Sequence, residues 1–151
     1  KGSLEIKRKR NFFGWKHNFN ISDGPDISQH TWIEIKKILS AQIPIKGKAW
    51  LRSHPVPVFI NRYVRQYFIS NDGKVRVTLD SEEKLWDQIR GIKPNTNITN
   101  TLPEMIVIEF KFHRNHQAVA NSYIQKIPLR VTRHSKYVNG VNTIAGNGVW
   151  Y

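Results

Sequence analysis

The chain has 151 residues, enough for one domain with a hydrophobic core. Its 24 Lys and Arg against 11 Asp and Glu leave a formal charge of +13, which calls for a polyanionic partner: nucleic acid, an anionic membrane, a nucleotide or a polyphosphate. The absence of cysteine excludes disulfides and thiolate metal sites, and no apolar run reaches the length of a membrane span.

Leu4–Lys9 alternates charged and apolar residues and reads as a strand, because successive strand side chains point to opposite faces. Asn11–Gly14 reads as a turn and Trp15–Ile21 as the returning strand of a hairpin. Ser28 is the expected cap of a helix running to about Ser40, with Trp32, Ile35, Ile38 and Leu39 as its apolar stripe. Ile43–Pro57 contains three prolines and reads as a loop. Strands are expected at Phe59–Ile69 and Lys74–Asp80, joined by a hairpin turn at Asn71-Asp72-Gly73. Ser81–Arg90 reads as a short helix or an irregular excursion, and Pro94–Thr101 as an exposed polar stretch. Glu104–Phe112 reads as a strand and Asn115–Ile127 as a helix burying Ala118, Val119 and Tyr123. Ser135 caps a last helix through about Ile144, followed by a loosely held tail on which Trp150 and Tyr151 dock. No repeat or second domain is apparent, so residues 1–151 read as a single domain.

Three constellations carry chemistry. The strands bearing Arg65 and Arg76 are joined by a tight turn and are therefore neighbours. Arg offers a planar fork matched to phosphate oxygens, although a solvated outer face gives the same alternation. Glu109 sits mid-strand beside Lys111. A carboxylate there needs a cation, either a metal or a structural ion-pair partner. Glu5, Lys7 and Lys9, with Lys16 across the turn, form a basic hairpin face that also fits an ordinary basic run. Tyr63, Tyr67 and Phe68 interleave with Arg, as in base-stacking proteins and in ordinary packing. His113 and His116 lack convincing metal spacing, and no Walker-type loop or nucleophile elbow is present.

Five blocks in order resemble the VTC domain, the polyphosphate polymerase domain of the triphosphate tunnel metalloenzymes. They are Leu4-Glu5-Ile6-Lys7-Arg8-Lys9 with Lys16, Pro57 with Tyr63-Val64-Arg65-Gln66-Tyr67, Val75-Arg76-Val77-Thr78-Leu79-Asp80, Ile108-Glu109-Phe110-Lys111-Phe112, and Ser135-Lys136-Tyr137. The resemblance implies an α+β fold: an antiparallel β-barrel or tunnel with flanking helices. It implies phosphate contacts from Lys7, Lys16, Arg65, Arg76, Lys111 and Lys136, and a divalent metal, Mn or Mg, on Glu109. Glu5, Tyr63, Thr78, Asp80 and Ser135 would support them. The expected reaction is transfer of the ATP γ-phosphoryl group to a growing polyphosphate chain. The alternatives are a tunnel triphosphatase and a non-catalytic polyphosphate- or polyanion-binding module. Expected partners are ATP, triphosphate or polyphosphate, with no specific nucleic acid. The expected location is cytoplasmic, at a membrane face through a partner. Family members carry strands before the first of these blocks. The chain thus reads as the C-terminal part of the domain, a partial barrel with N-terminal strands missing: either a fragment completed by an upstream segment, or a barrel completed by another chain, or a degenerate member.

Overall fold

The computed structural model describes residues 2–10, 13–100, 102–132 and 134–146, without the side chains of Lys9, Arg10 and Phe13. The expected turn residues Asn11 and Phe12 and the docking of Trp150 and Tyr151 lie outside the described residues. The fold is mixed α+β with two antiparallel sheets. The chain divides into two compact units, Lys1–Val58 with Gln88–Asn97, and Phe59–Asp87 with Ile98–Tyr151.

The first unit holds a hairpin of β1 (Gly2–Arg10) and β2 (Phe13–Ile21), then α1 (Trp32–Gln42) and α2 (Ile45–Ser53). Hairpin register pairs Lys7 with Lys16 and Arg8 with Trp15, so Glu5, Lys7 and Lys16 share a face opposite Trp15. Ile21, Ile35 and Ile43 are buried. Two expectations are corrected here. Ser28 does not cap α1; its backbone N–H and hydroxyl both donate to Asp26, closing a local turn. Thr31 is the cap, with Glu34 reaching back to the Thr31 N–H at 2.7 Å in a capping box. The stretch Ile43–Pro57 is not a loop: α2 occupies its middle. Pro44 sits at the helix N-cap and Pro55 and Pro57 lie beyond its end, so the prolines bracket the helix without breaking its hydrogen bonds.

The second unit is built on a three-stranded sheet, ordered β3 (Phe59–Ile69), β4 (Val75–Asp87) and β5 (Val107–Phe112). Gly73 supplies the positive φ of 70° that the β3–β4 turn requires, and its N–H donates to Ser70 O at 2.8 Å. β4 runs seven residues past the expected Asp80, correcting the helix or excursion expected at Ser81–Arg90. It stays paired through Asp87, opposite Phe59. β5 is shorter than expected, starting at Val107 rather than Glu104. The helix expected from Asn115 begins as a 3-10 turn, Arg114–His116, capped by His113, before α3 (Gln117–Ile124). Its buried residue is Ala120, whereas Ala118 and Tyr123 are exposed. Ser135 caps α4 (Lys136–Ile144), accepting from the Val138 N–H. α4 packs at Gly140, where an added Cβ would lie 2.9 Å from two carbons of the Phe59 ring.

Cross-strand register puts Arg65, Tyr67, Ile69, Arg76, Thr78, Asp80, Val107, Glu109 and Lys111 on one face of this sheet. The opposite face carries Val64, Phe68, Val77, Phe110 and Phe112. On this face Val75 is buried, but Phe68 is 53% exposed and Phe112 is 37% exposed. Among the described residues no closed barrel forms; the three-stranded sheet ends at β3 and β5.

Candidate functional site

The densest polar cluster of the second unit gathers around Asp80, which is only 4% exposed although it is charged. Arg65, directly opposite on β3, donates Nε to Asp80 Oδ1 at 2.5 Å and Nη2 to Oδ2 at 2.6 Å. This fork-to-fork pairing fixes the guanidinium plane. Lys136, from the first turn of α4, places Nζ 3.2 Å from the same Oδ2 and 3.5 Å from Glu83 Oε2. Both cations lie over the Tyr63 ring, Arg65 at 4.9 Å and Lys136 at 4.6 Å from its centroid. Arg65 also lies 6.0 Å from the Tyr67 ring.

Electrostatics follow from these contacts. The Arg65 hydrogen bonds, then those from Lys136, hold the Asp80 carboxyl below the ordinary aspartate range despite its burial. Asp80 in turn raises the Arg65 guanidinium above its usual value. Two cations and two carboxylates make the cluster formally neutral. Arg65 still keeps three N–H donors beyond those given to Asp80.

Further along the same face, Arg76 is exposed and pairs in register with Lys111, while Thr78 pairs with Glu109. Lys111 Nζ lies 3.1 Å from Glu109 Oε2, and both side chains are about half exposed. The Thr78 hydroxyl is buried and has no hydrogen-bond partner among the described residues. Among the described residues, no group of three or more His, Asp or Glu side chains is placed to hold a metal ion. The His113 and His116 rings make an edge contact at 6.2 Å, and His113 Nδ1 accepts from the Asn115 N–H as a cap.

Lys7, Lys16 and Glu5 belong to the first unit and form a cluster of their own. Glu5 takes Lys7 on one oxygen and Lys16 on the other, both at 2.7 Å. These bonds, that from Lys16 first, hold the Glu5 carboxyl below its usual range. The first unit also has an open groove of about 450 Å3 between α1 and α2, lined by Ile33, Lys36, Lys37, Ser40, Ala41 and Lys48.

The family model of the VTC domain matches residues 26–145. The chain belongs to the VTC domain family. No curated protein and no solved structure matches the chain. The matched span of the VTC domain contains the whole β3–β4–β5 sheet, α4 and the Asp80 cluster, and starts after the β1–β2 hairpin. Membership ties the chain to polyphosphate polymerase-related function. Among the described residues no helix is long and apolar enough to cross a membrane.

Of the residues expected from the sequence, Tyr63, Arg65, Asp80 and Lys136 come together directly, and Ser135 starts the helix that delivers Lys136. Arg76, Thr78, Glu109 and Lys111 share the same sheet face. Glu83 is the participant that sequence reading missed. Strict alternation from Asp80 assigns it to the other face, and only a break in the strand changes that.

Proposed function

We propose that this VTC domain carries a polyphosphate polymerase-type site, which transfers the γ-phosphoryl group of ATP to the end of a growing polyphosphate chain. The observation that carries this reading is the meeting of Arg65 and Lys136 over Tyr63, from elements far apart in sequence, with Asp80 anchoring both. Phosphoryl transfer asks little covalent chemistry of a protein; it needs the phosphates positioned and their charge neutralised. Arg65 offers its remaining N–H donors and Lys136 its ammonium to phosphate oxygens. Arg76 and Lys111 extend the basic surface along the same face, so a chain of phosphates lies across the sheet. The domain then works on the cytoplasmic side, at a membrane face through a partner.

Glu109 and Thr78 offer oxygen donors of the kind a divalent Mn or Mg ion takes. Glu109 lies across from Thr78, whose buried hydroxyl lacks a partner, so a carboxylate and a hydroxyl oxygen occupy neighbouring positions on one face. Hard divalent ions take oxygen ligands and are commonly bound by one or two carboxylates plus substrate phosphates. Glu109 would hold the ion from the protein side, with phosphate oxygens and water completing its shell. When bound, it would neutralise charge on the phosphoryl oxygens.

The test is product analysis after incubating the chain with ATP and Mn2+. The reading predicts long polyphosphate. Free phosphate alone would mark a tunnel hydrolase, and unchanged ATP with retained triphosphate binding would mark a binding module.

A further inference from the structure

The pairing of β3 with β4 contains an irregularity that bears directly on Lys136. Arg62 pairs with Lys84 and Val64 with Ser81, so two residues of β4, Glu82 and Glu83, stand opposite the single residue Tyr63. This is a β-bulge, and Glu82 takes its left-handed position with φ 53°. It is the one positive-φ non-glycine residue among those described. A glutamate held there is strained, because its Cβ crowds the following carbonyl.

The bulge changes which side chains share a face. In an unbroken strand, period-two alternation puts Asp80 and Glu82 together and turns Glu83 away. With the extra residue, Glu83 joins Asp80. Its Oε2 lies 3.5 Å from Lys136 Nζ and its Oε1 accepts from Asn61 Nδ2 at 3.3 Å. The Glu83 side chain is 15% exposed and that of Lys136 19%, so both are largely withdrawn from water.

We propose that Glu83 is a positioning residue of the phosphate site, holding the Lys136 ammonium over the Tyr63 ring beside Arg65, and that the bulge at Glu82 is what delivers it. The inference rests on the phosphate reading of Lys136. Asp80 alone is a weak guide for this lysine, since both of its oxygens are already engaged by Arg65. Lysine is a point charge on a flexible four-carbon stem, which binds without directional preference. A second carboxylate from a different backbone position, together with the ring, restricts where the ammonium sits. A phosphate oxygen then meets a cation already in place, and less ordering is left to occur on binding. The strain at Glu82 fits this reading, since strained backbone persists where the surroundings enforce it.

Two roles for Glu83 predict opposite outcomes. As a positioning residue it aids phosphate binding; as a competing anion it opposes it. The experiment is a calorimetric titration of tripolyphosphate into the wild type, Glu83→Gln, Lys136→Gln and the double variant, with melting temperatures measured alongside. Positioning predicts that E83Q weakens binding about three- to tenfold, toward the lower part of the coupling seen between neighbours in contact. It also predicts that the double variant binds no more weakly than K136Q alone, because Glu83 acts only through Lys136. Glu82→Gly, which keeps the bulge conformation, should bind as the wild type does. Tighter binding by E83Q, unchanged binding, or losses that add in the double variant would overturn the inference. K136Q at wild-type affinity would overturn the phosphate reading of Lys136 and this inference with it. A weakened K136Q beside an unchanged E83Q removes only this inference. If E83Q fails to fold, Glu83→Asp takes its place, keeping the charge while shortening the reach, with weaker binding again expected.

Discussion

Asp80 places one buried carboxylate against two cations, and its removal would leave both without their main counter-charge. Asp80→Asn should therefore destabilise the domain by about 3 kcal/mol, the low end for breaking a buried ion pair, since the Arg65 side chain stays partly in contact with water. Chemical denaturation of the two proteins measures it. The pH dependence has a fixed sign. The folded-state carboxyl titrates below the ordinary aspartate value, so its stabilisation is fully present above about pH 4 and is lost as pH falls through the folded value. The wild type should lose stability below about pH 4, and D80N should show a shallower acid limb in the same window. Glu109 stands in contrast. Its pair with Lys111 is half exposed and worth under about 1 kcal/mol, so Glu109→Gln should melt close to the wild type. If Glu109 holds the metal, the same variant should lose Mn-dependent turnover and keep metal-free phosphate binding. A destabilised E109Q with unchanged metal dependence would instead make Glu109 a structural partner.

At the scale of elements, the helices depend on particular end groups and close approaches. Thr31→Ala removes the side-chain half of the α1 capping box, the hydroxyl that accepts from the Glu34 N–H, and should cost about 1 kcal/mol, read from denaturant midpoints. Gly140→Ala would push a methyl to within 2.9 Å of the Phe59 ring and 3.2 Å of the Leu85 Cδ1, so these neighbours must shift to admit it. It should cost about 1–3 kcal/mol by overpacking and lower the melting temperature, although alanine is otherwise the better helix former. Elements whose local chemistry agrees with their place in the fold were legible from residues alone. The Asn71–Gly73 turn, the β1–β2 hairpin and the Ser135 cap each carry a short-range signal that packing reinforces. α2 was not legible because Pro44, Pro55 and Pro57 suggest a loop, when they fall just outside the nine helical residues. The far half of β4 was not legible either. Its Ser-Glu-Glu-Lys run lacks alternation, and the bulge at Glu82–Glu83 resets the faces partway along. Arg65, Asp80 and Lys136 could be found by pattern and resemblance. Glu83 could not, since its face depends on a pairing irregularity that leaves no period in the sequence.

Across the whole molecule, the charge of +13 sets a general attraction for anions, while the arrangement on the β3–β4–β5 face makes part of that attraction local. The two can be separated, because a diffuse field responds to the loss of any one cation and a defined site does not. Arg76 lies on the same sheet face as Arg65 and Lys111, whereas Arg130 is exposed in the segment between α3 and α4. The most direct measurement is tripolyphosphate affinity by calorimetry at several salt concentrations, for the wild type, Arg76→Ala and Arg130→Ala. The account predicts binding that weakens with salt in all three, as ionic contacts require, with R76A clearly weaker than R130A at every concentration. Equal losses from the two substitutions would contradict a defined phosphate site on this face.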